Sequence, residues 1–518
     1  MGLEITRERF EEEDFRRFAD KLDRNLHALQ RVLARPHFGE GPTTLGAELE
    51  LHLVDEAGRP QLVNRRVLAD SVDPRLTLEV NRFNLEINTH PCPMAGEPFL
   101  RLEQELETAL EAVRCAARTH GARPALIGIL PTLEPSDLSA SALTDGRRYR
   151  ALSAGVRRIR PTPITVRIEG DEVLEVAADD VTFEGANASF QVHLRVPPDR
   201  FVAAYNAAQI ATAPVLAICG NSPLFLGKRL WRETRVALFR QSVDDRTPTH
   251  GASPGEDWRP ARVSFGHGWL RHSVLELFNE SVSLHEPLLP EVGSEEPEEV
   301  LGAGGIPRLD ELRLHHGTVW RWNRAIYDHG DGGHLRIELR ALPAGPTVPD
   351  MVAGAAFLLG LTLGLEPRID EFLARMTFGH ARHNFYEAAR WGIDAELLWP
   401  TTRGISPGLE PARSLVERLL PVAERGLRGA GVSAEDSARW LGIIARRVDR
   451  GVTGACWQER TYDGLLSHPH ACEALKSQHG PSGRGSSGPG AWQGAARAML
   501  LRYLELSESG EPVHGWPR

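Results

Sequence analysis

Four short segments of this chain alternate strictly between apolar residues and residues that can do chemistry. In residues 46–55 (GAELELHLVD), Glu48, Glu50 and His52 oppose Ala47, Leu49, Leu51 and Leu53. In 83–91 (FNLEINTHP), Asn84, Glu86, Asn88 and His90 oppose Phe83, Leu85 and Ile87. Residues 188–196 (ASFQVHLRV) set Ser189, Gln191, His193 and Arg195 against Ala188, Phe190, Val192, Leu194 and Val196, and 334–342 (HLRIELRAL) set His334, Arg336, Glu338 and Arg340 against Leu335, Ile337, Leu339 and Ala341. Glu and Asn are depleted in strands, and like charges on neighbouring strands repel unless a positive charge lies between them. A divalent cation would relieve that repulsion. Carboxylates with at most one imidazole and no thiolate select hard Mg²⁺ or Mn²⁺ over Zn²⁺. Arg336 and Arg340 carry the forked, permanent charge that suits phosphate oxygens.

Period-two spacing is the signature of a strand with two unlike faces. Any one such segment alone reads as a sheet with a solvated outer face. Four of them imply a single sheet with a greasy back and a chemically active front. Around them the pattern is α+β. A leading amphipathic helix over residues 7–35 carries Phe10, Phe15, Phe18, Leu22 and Leu26, and a second helix is expected near 96–120. Residues 198–243 look helical apart from the turn-forming Gly220, Asn221, Ser222 and Pro223. The acidic stretch 286–308 is expected to be an exposed loop, and 316–343 strand-rich. Beyond Thr347 the pattern turns helical through 347–363, 366–390, 409–428 and 433–449, followed by a flexible tract at 477–490 and a last helix. These features divide the chain into an N-terminal helix (1–40), a catalytic unit (41–365) and a helical C-terminal region (366–518).

The 518 residues carry 60 basic and 70 acidic side chains, a net charge of −10, which excludes a dedicated nucleic-acid binder. Five scattered cysteines without a CxxC pair give neither a disulfide framework nor a Cys-rich zinc site, so a reducing cytoplasm is the expected compartment. The N-terminus lacks the apolar core of a signal peptide. The most apolar run, Met351 to Leu365, is too short and too Gly-interrupted to span a membrane and reads as a buried helix. Small-molecule substrates are therefore the expected partners, with neither nucleic acid nor membrane, and self-association into a homo-oligomer stays open. His315 with His316, and His380 with His383, lack the companion motif of a zinc site and read as structural. His52, His90 and Tyr327 are candidate bases with no advantage over one another.

Taken in order, GAELELHLVD, LEVNRFNLEINTHP, SFQVHLRV, NSPLFLGKRLWRETRVALF and HLRIELRALP resemble the glutamate-cysteine ligase superfamily, in particular its bacterial carboxylate-amine ligase branch, over about residues 43–360. The resemblance implies a glutamine-synthetase-like fold, in which a curved, mainly antiparallel sheet forms an active-site funnel backed by helices, here with a helical C-terminal extension. It implies ATP and two or three Mg²⁺ ions, with Mn²⁺ as a substitute. By position, Glu48, Glu50, Glu86, His193 and Glu338 resemble the metal ligands, with Glu79 in the approximate place of a further acid. Arg340 resembles the arginine that meets the transferred phosphoryl group, with Arg336 beside it as a second phosphate contact and Glu338 next to the chemistry. Arg235 resembles an amino-acid-binding arginine, and Asn88 is a further candidate for that role.

The implied reaction joins a carboxylate, the γ-carboxylate of glutamate, to an amine through an acyl phosphate. Cysteine is the default acceptor, as in glutathione biosynthesis, and a different amine is the alternative. A phosphagen-kinase-like phosphotransferase matches the metal motifs less well.

Overall fold

A computed structural model describes residues 5–178, 180–246, 259–401, 406–467 and 491–517. The tract 477–490 expected to be flexible lies outside the described residues. An eight-stranded sheet organises the chain: β1 (Thr44–Val54), β2 (Leu76–Leu78), β3 (Asn84–Asn88), β4 (Cys92–Pro93), β5 (Arg123–Ala125), β6 (Phe190–Arg195), β7 (Asn323–Asp328) and β8 (His334–Leu339). The main path runs β7-β8-β6-β1-β3-β2, β4 and β5 pair with the two ends of β1, and every pairing is antiparallel. The four alternating segments therefore become four consecutive neighbours, β8-β6-β1-β3.

Their apolar sides are fully buried, with Leu49, Leu51, Leu85, Ile87, Phe190, Val192, Leu335 and Ile337 all at 0% exposure. At about 1.5–3 kcal/mol for each buried side chain, this back face fixes the register. A slip by one residue would turn every Leu outward and every Glu into the core.

Helices α1 (Glu12–Leu33), α2 (Pro98–Arg118), α3 (Pro198–Cys219), α4 (Thr234–Ser242), α5 (Val348–Leu365), α6 (Ala412–Gly429), α7 (Ala434–Arg450), α8 (Gly454–Ser467) and α9 (Ala491–Glu508) surround the sheet, with shorter helices between some of them. In α1, Glu12, Glu13 and Asp14 occupy the first turn and Arg31 the last, the polarity that the helix dipole favours. Proline at the first turn starts α2 and α3, and the Thr347 side chain caps α5 by accepting from the Asp350 amide.

The apolar run read as Met351 to Leu365 begins earlier, making α5 an 18-residue helix. Together with its short continuation it and α3 are long and apolar enough to cross a membrane, but 83% and 89% of their apolar windows are buried inside the fold. They are core helices. The α5–α6 crossing is close because it uses glycine: a Cβ on Gly426 would lie 2.0 Å from the Gly360 carbonyl oxygen.

Three expectations need correction. Residues 286–308 are not a free loop. They include a short helix, Pro297–Gly302, and dock on α1 through Glu296, which accepts from Lys21 at 2.7 Å and Arg24 at 3.3 Å, and through Glu298, which pairs with Arg31. The acidic run is the counter-charge of a basic helix face. The helical stretch 366–390 is interrupted, with helix resuming over Phe378–Trp391 behind a Thr377 cap, and a hairpin, Glu396–Trp399 with Gly408–Pro411, intervenes before α6. Finally, α8 follows α7 without having been anticipated. The four described cysteines, Cys92, Cys115, Cys219 and Cys456, are free thiols.

Candidate active site

Strand pairing brings the sequence motifs into one place. Glu48 stands opposite Asn88 on one side and Gln191 on the other, Glu50 opposite Glu86, His193 opposite Glu338, and Glu338 opposite Arg324. The centre of the front face is buried as well as the back, since Gln191 is 2%, His193 8% and Glu338 1% exposed, while Glu48, Glu50, Glu86 and Arg340 around it are half-buried. A merely solvated outer face would not look like this.

Glu48, His193 and Glu338 each present a ligand atom, all within 4.8 Å of one another. His193 Nε2 lies 3.1 Å from Glu48 Oε1 and 3.8 Å from Glu338 Oε1, yet this buried nitrogen has no hydrogen-bond partner among the described residues. Buried polar atoms are rarely left so, and an orphaned imidazole nitrogen between two carboxylates suits a divalent cation. Arginines balance this part of the site. Arg324 donates from Nε and Nη2 to the two oxygens of Glu338 at 2.6 and 3.0 Å, and Arg340 donates to Glu338 and to Gln191 Oε1. Gln191 in turn donates to Glu50, which also accepts from the Ser189 amide at 2.7 Å.

The electrostatics split the site in two. Burial opposes ionisation of Glu338 and Glu48, but Arg324, Arg340 and His193 outweigh it for Glu338, and His193 and Arg340 for Glu48, so both stay below the usual carboxylate range. On the β3 side burial and neighbouring carboxylates dominate. Burial, reinforced by Glu48 and Glu50, pushes Glu86 up to about 8, and burial with Glu86, Glu50 and Glu184 raises Glu79 well above its ordinary value. Glu50 is raised by burial despite Arg340. A cluster of carboxyl groups that hold protons in the absence of a cation can lose them to one.

The remaining candidates are placed as follows. Asn88 donates to Glu86 Oε1 at 2.8 Å and to Thr77, so it orients that carboxylate. Arg336 is bonded to Asp328 and His334, two positions outward from Glu338 on β8. Arg235, near the start of α4, is 2% exposed and donates to Glu233 and the Ala341 carbonyl. It is close enough to Glu50 to favour that group's ionisation.

None of the candidate bases lies at the triad. His52 is buried against Asn84 and burial lowers it to about 3, His90 is exposed and paired with Glu105, and the Tyr327 hydroxyl donates to Pro307. His315 and His316 are bonded to Ser281 and Ala325 in the core.

Two participants escaped the sequence reading in their actual roles. Arg324, on β7, is the clamp on Glu338. Glu184, on the 3₁₀ turn Val181–Ala186, joins the acidic cluster, where burial and Glu50 raise it to about 8. Its only signal was an acid just upstream of the β6 segment, which no periodicity distinguishes.

A family model described as glutamate-cysteine ligase family 2 (GCS2) matches residues 44–484. A "Putative glutamate--cysteine ligase 2-1" of Frankia alni is 25% identical over 452 residues, covering 83% of this chain and 96% of the relative. A protein of the same name from Mycolicibacterium vanbaalenii is 26% identical over 410 residues, 77% of this chain and 87% of the relative. Among solved structures, the glutamate-cysteine ligase of Francisella tularensis, in complex with AMP, superposes with a TM-score of 0.50 at 12% identity over 93% of this chain and 96% of its own. That likeness concerns the fold, which is glutamine-synthetase-like. With its motifs on adjacent strands of such a sheet, the chain belongs to glutamate-cysteine ligase family 2 and is a carboxylate-amine ligase.

Proposed function

We propose that the protein uses ATP to join the γ-carboxylate of L-glutamate to an amine, cysteine by default, through an acyl phosphate. The observation that carries this reading is the triad of half-buried Glu48 with buried His193 and Glu338, with Arg340 beside it and further acids on β1 and β3. Glu48, His193 and Glu338 would hold one Mg²⁺, and Glu50, Glu86 and Glu79 one or two more. Bound there, Mg²⁺ neutralises phosphate charge, which is most of what phosphoryl transfer asks of an enzyme besides positioning.

A carboxylate resists attack by an amine because the leaving group would be an oxide. One of its oxygens therefore attacks the γ-phosphorus, the bond to the bridging oxygen breaks, and ADP leaves. The amine nitrogen then attacks the acyl carbon, the C–O bond to phosphate breaks, inorganic phosphate leaves, and the nitrogen loses one proton. Arg340 meets the oxygens of the transferring group. Glu338 lies beneath it and fixes its guanidinium, and Arg336 serves the phosphates farther out. Arg235 and Asn88 face the amino-acid substrate.

Burial of Gln191, His193 and Glu338 at the centre of the front face strengthens the charge interactions made there. The test is ADP release with L-glutamate and Mg²⁺ across a panel of amines, with mass spectrometry of the products. A glutamate-dependent, amine-dependent adduct is expected. Absence of glutamate-dependent ADP release with every amine would remove glutamate as the acid, and ADP release that ignores the amine would remove the ligase chemistry.

A further inference from the structure

Arg235 is held from behind by an enclosed polar network that ends in the C-terminal helix. Its Nε donates to Glu233 Oε1 at 2.6 Å and its Nη2 to the Ala341 carbonyl at 2.7 Å, while Nη1 has no hydrogen bond among the described residues. The other oxygen of Glu233 accepts from the Asn221 amide at 2.9 Å. The Asn221 side chain donates to the Ala344 carbonyl at 2.7 Å and to the Tyr503 hydroxyl at 2.8 Å, and it accepts from Gln458 of α8 at 2.8 Å. The Tyr503 hydroxyl, on α9, donates to the Leu126 carbonyl at 2.7 Å. Glu233, Asn221, Gln458 and Tyr503 are all at 0% exposure.

The arrangement has almost no slack. A Cβ on Gly454 would sit 2.0 Å from Asn221 Oδ1, and one on Gly345 would sit 2.0 Å from the Leu126 oxygen and 2.8 Å from the Tyr503 hydroxyl. Residues 341–344 follow directly on Arg340, which itself follows the end of β8, the strand that carries Glu338. The same hydrogen bonds therefore fix two things at once: the direction of the Arg235 guanidinium and the exit of the catalytic strand.

We propose that Glu233 and Asn221 are positioning residues that hold Arg235 toward the amino-acid substrate, and that α9 locks them in place through the Tyr503 hydroxyl. The proposal rests on the reading that Arg235 faces that substrate, and it gives the C-terminal region a part in the active site. A buried ion pair is a poor source of stability against an apolar replacement. A buried network of mutual hydrogen bonds, in contrast, selects one arrangement among several, and here the side chains of Glu233, Asn221 and Tyr503 are bonded throughout while Gln458 leaves only its Oε1 without a partner among the described residues. Glu233 leaves the guanidinium only one free edge.

The decisive variant is Tyr503→Phe in the full chain, because the ring keeps its contacts with Trp457 and Trp516 while the hydroxyl is lost. The expected result is a rise of about fivefold or more in KM for the amino-acid substrate, with KM for ATP within about twofold of wild type. Glu233→Ala should show a larger rise, and Glu233→Gln, which keeps one of the two acceptor oxygens, should fall between it and wild type. Equal shifts in both KM values, or none, would overturn the proposal.

Amide hydrogen exchange gives a second readout that needs no substrate. Tyr503→Phe should speed exchange in residues 219–236 and 341–346, and unchanged exchange there would also overturn the coupling. Should the wild-type protein release no ADP with any acid and amine, the catalytic reading fails, and the exchange result alone decides the network.

Discussion

Replacing Glu86 with Gln should stabilise the metal-free protein, and more so as pH rises. Glu86 is pushed up to about 8 from an ordinary 4.5 by burial and by Glu48 and Glu50. Between those values the folded chain keeps a proton that the unfolded chain has already lost, so stability falls as pH climbs from about 4.5 to 8. At about pH 7.5 the deficit is roughly three pKa units, or about 4 kcal/mol at 1.36 kcal/mol per unit. An unfolding entropy of about 2.1 cal/mol/K per residue amounts to roughly 1.1 kcal/mol/K for this chain, so the deficit corresponds to about 4 °C in Tm.

Gln cannot ionise but keeps the oxygen that accepts from Thr77 and Asn88. Thermal unfolding of both proteins in EDTA should therefore show Tm values that nearly coincide at about pH 5 and separate by about 4 °C, the variant higher, at about pH 7.5. Saturating Mg²⁺ should narrow the gap, since binding at about 100 times Kd stabilises wild type by about 2.7 kcal/mol and Glu86→Gln by less. A gap independent of pH, or widest at the acid end, would refute the assignment of a strained, metal-seeking carboxyl cluster.

Other outcomes follow from the same geometry. Arg340→Ala should lower kcat by about 10²- to 10³-fold with little change in KM for ATP, because the arginine acts on charge that develops during transfer. A change confined to KM for ATP, seen in steady-state kinetics, would contradict that role. Arg324→Ala strands Glu338 at 1% exposure without its bidentate partner, and chemical denaturation should register a loss of about 3–5 kcal/mol in the metal-free protein. Gly426→Ala forces a methyl against the Gly360 carbonyl and should cost about 1–3 kcal/mol by the same measurement, with KM values unchanged in the fraction that folds.

The site was legible in the sequence to the extent that its information is local. Alternation with period two is a property of consecutive residues, so Glu48 with Glu50, His193 and Glu338 with Arg340 could each be placed on one face of a strand before any strand had a neighbour. The apolar opposite faces then required a common core. Pairing order is a property of distant segments. Only the folded chain decides that His193 stands beside Glu338 and Glu50 beside Glu86.

The sequence also carries no mark of Arg324 as a clamp, or of Glu184 as a member of the acidic cluster. Each becomes important through partners far away along the chain, and neither follows a period. The acidic run at 286–308 was misread for the same reason, since charge alone does not reveal the basic helix it docks on.

The network from Arg235 to Tyr503 is the extreme case. Its ends are separated by more than half the sequence, and its members are ordinary residue types in helices and turns. By itself the sequence determined the kind of chemistry, because residue type and alternation set which groups can share a face. The tertiary structure decided which of those groups touch and what holds them, because burial and hydrogen bonding depend on neighbours that the linear chain does not name.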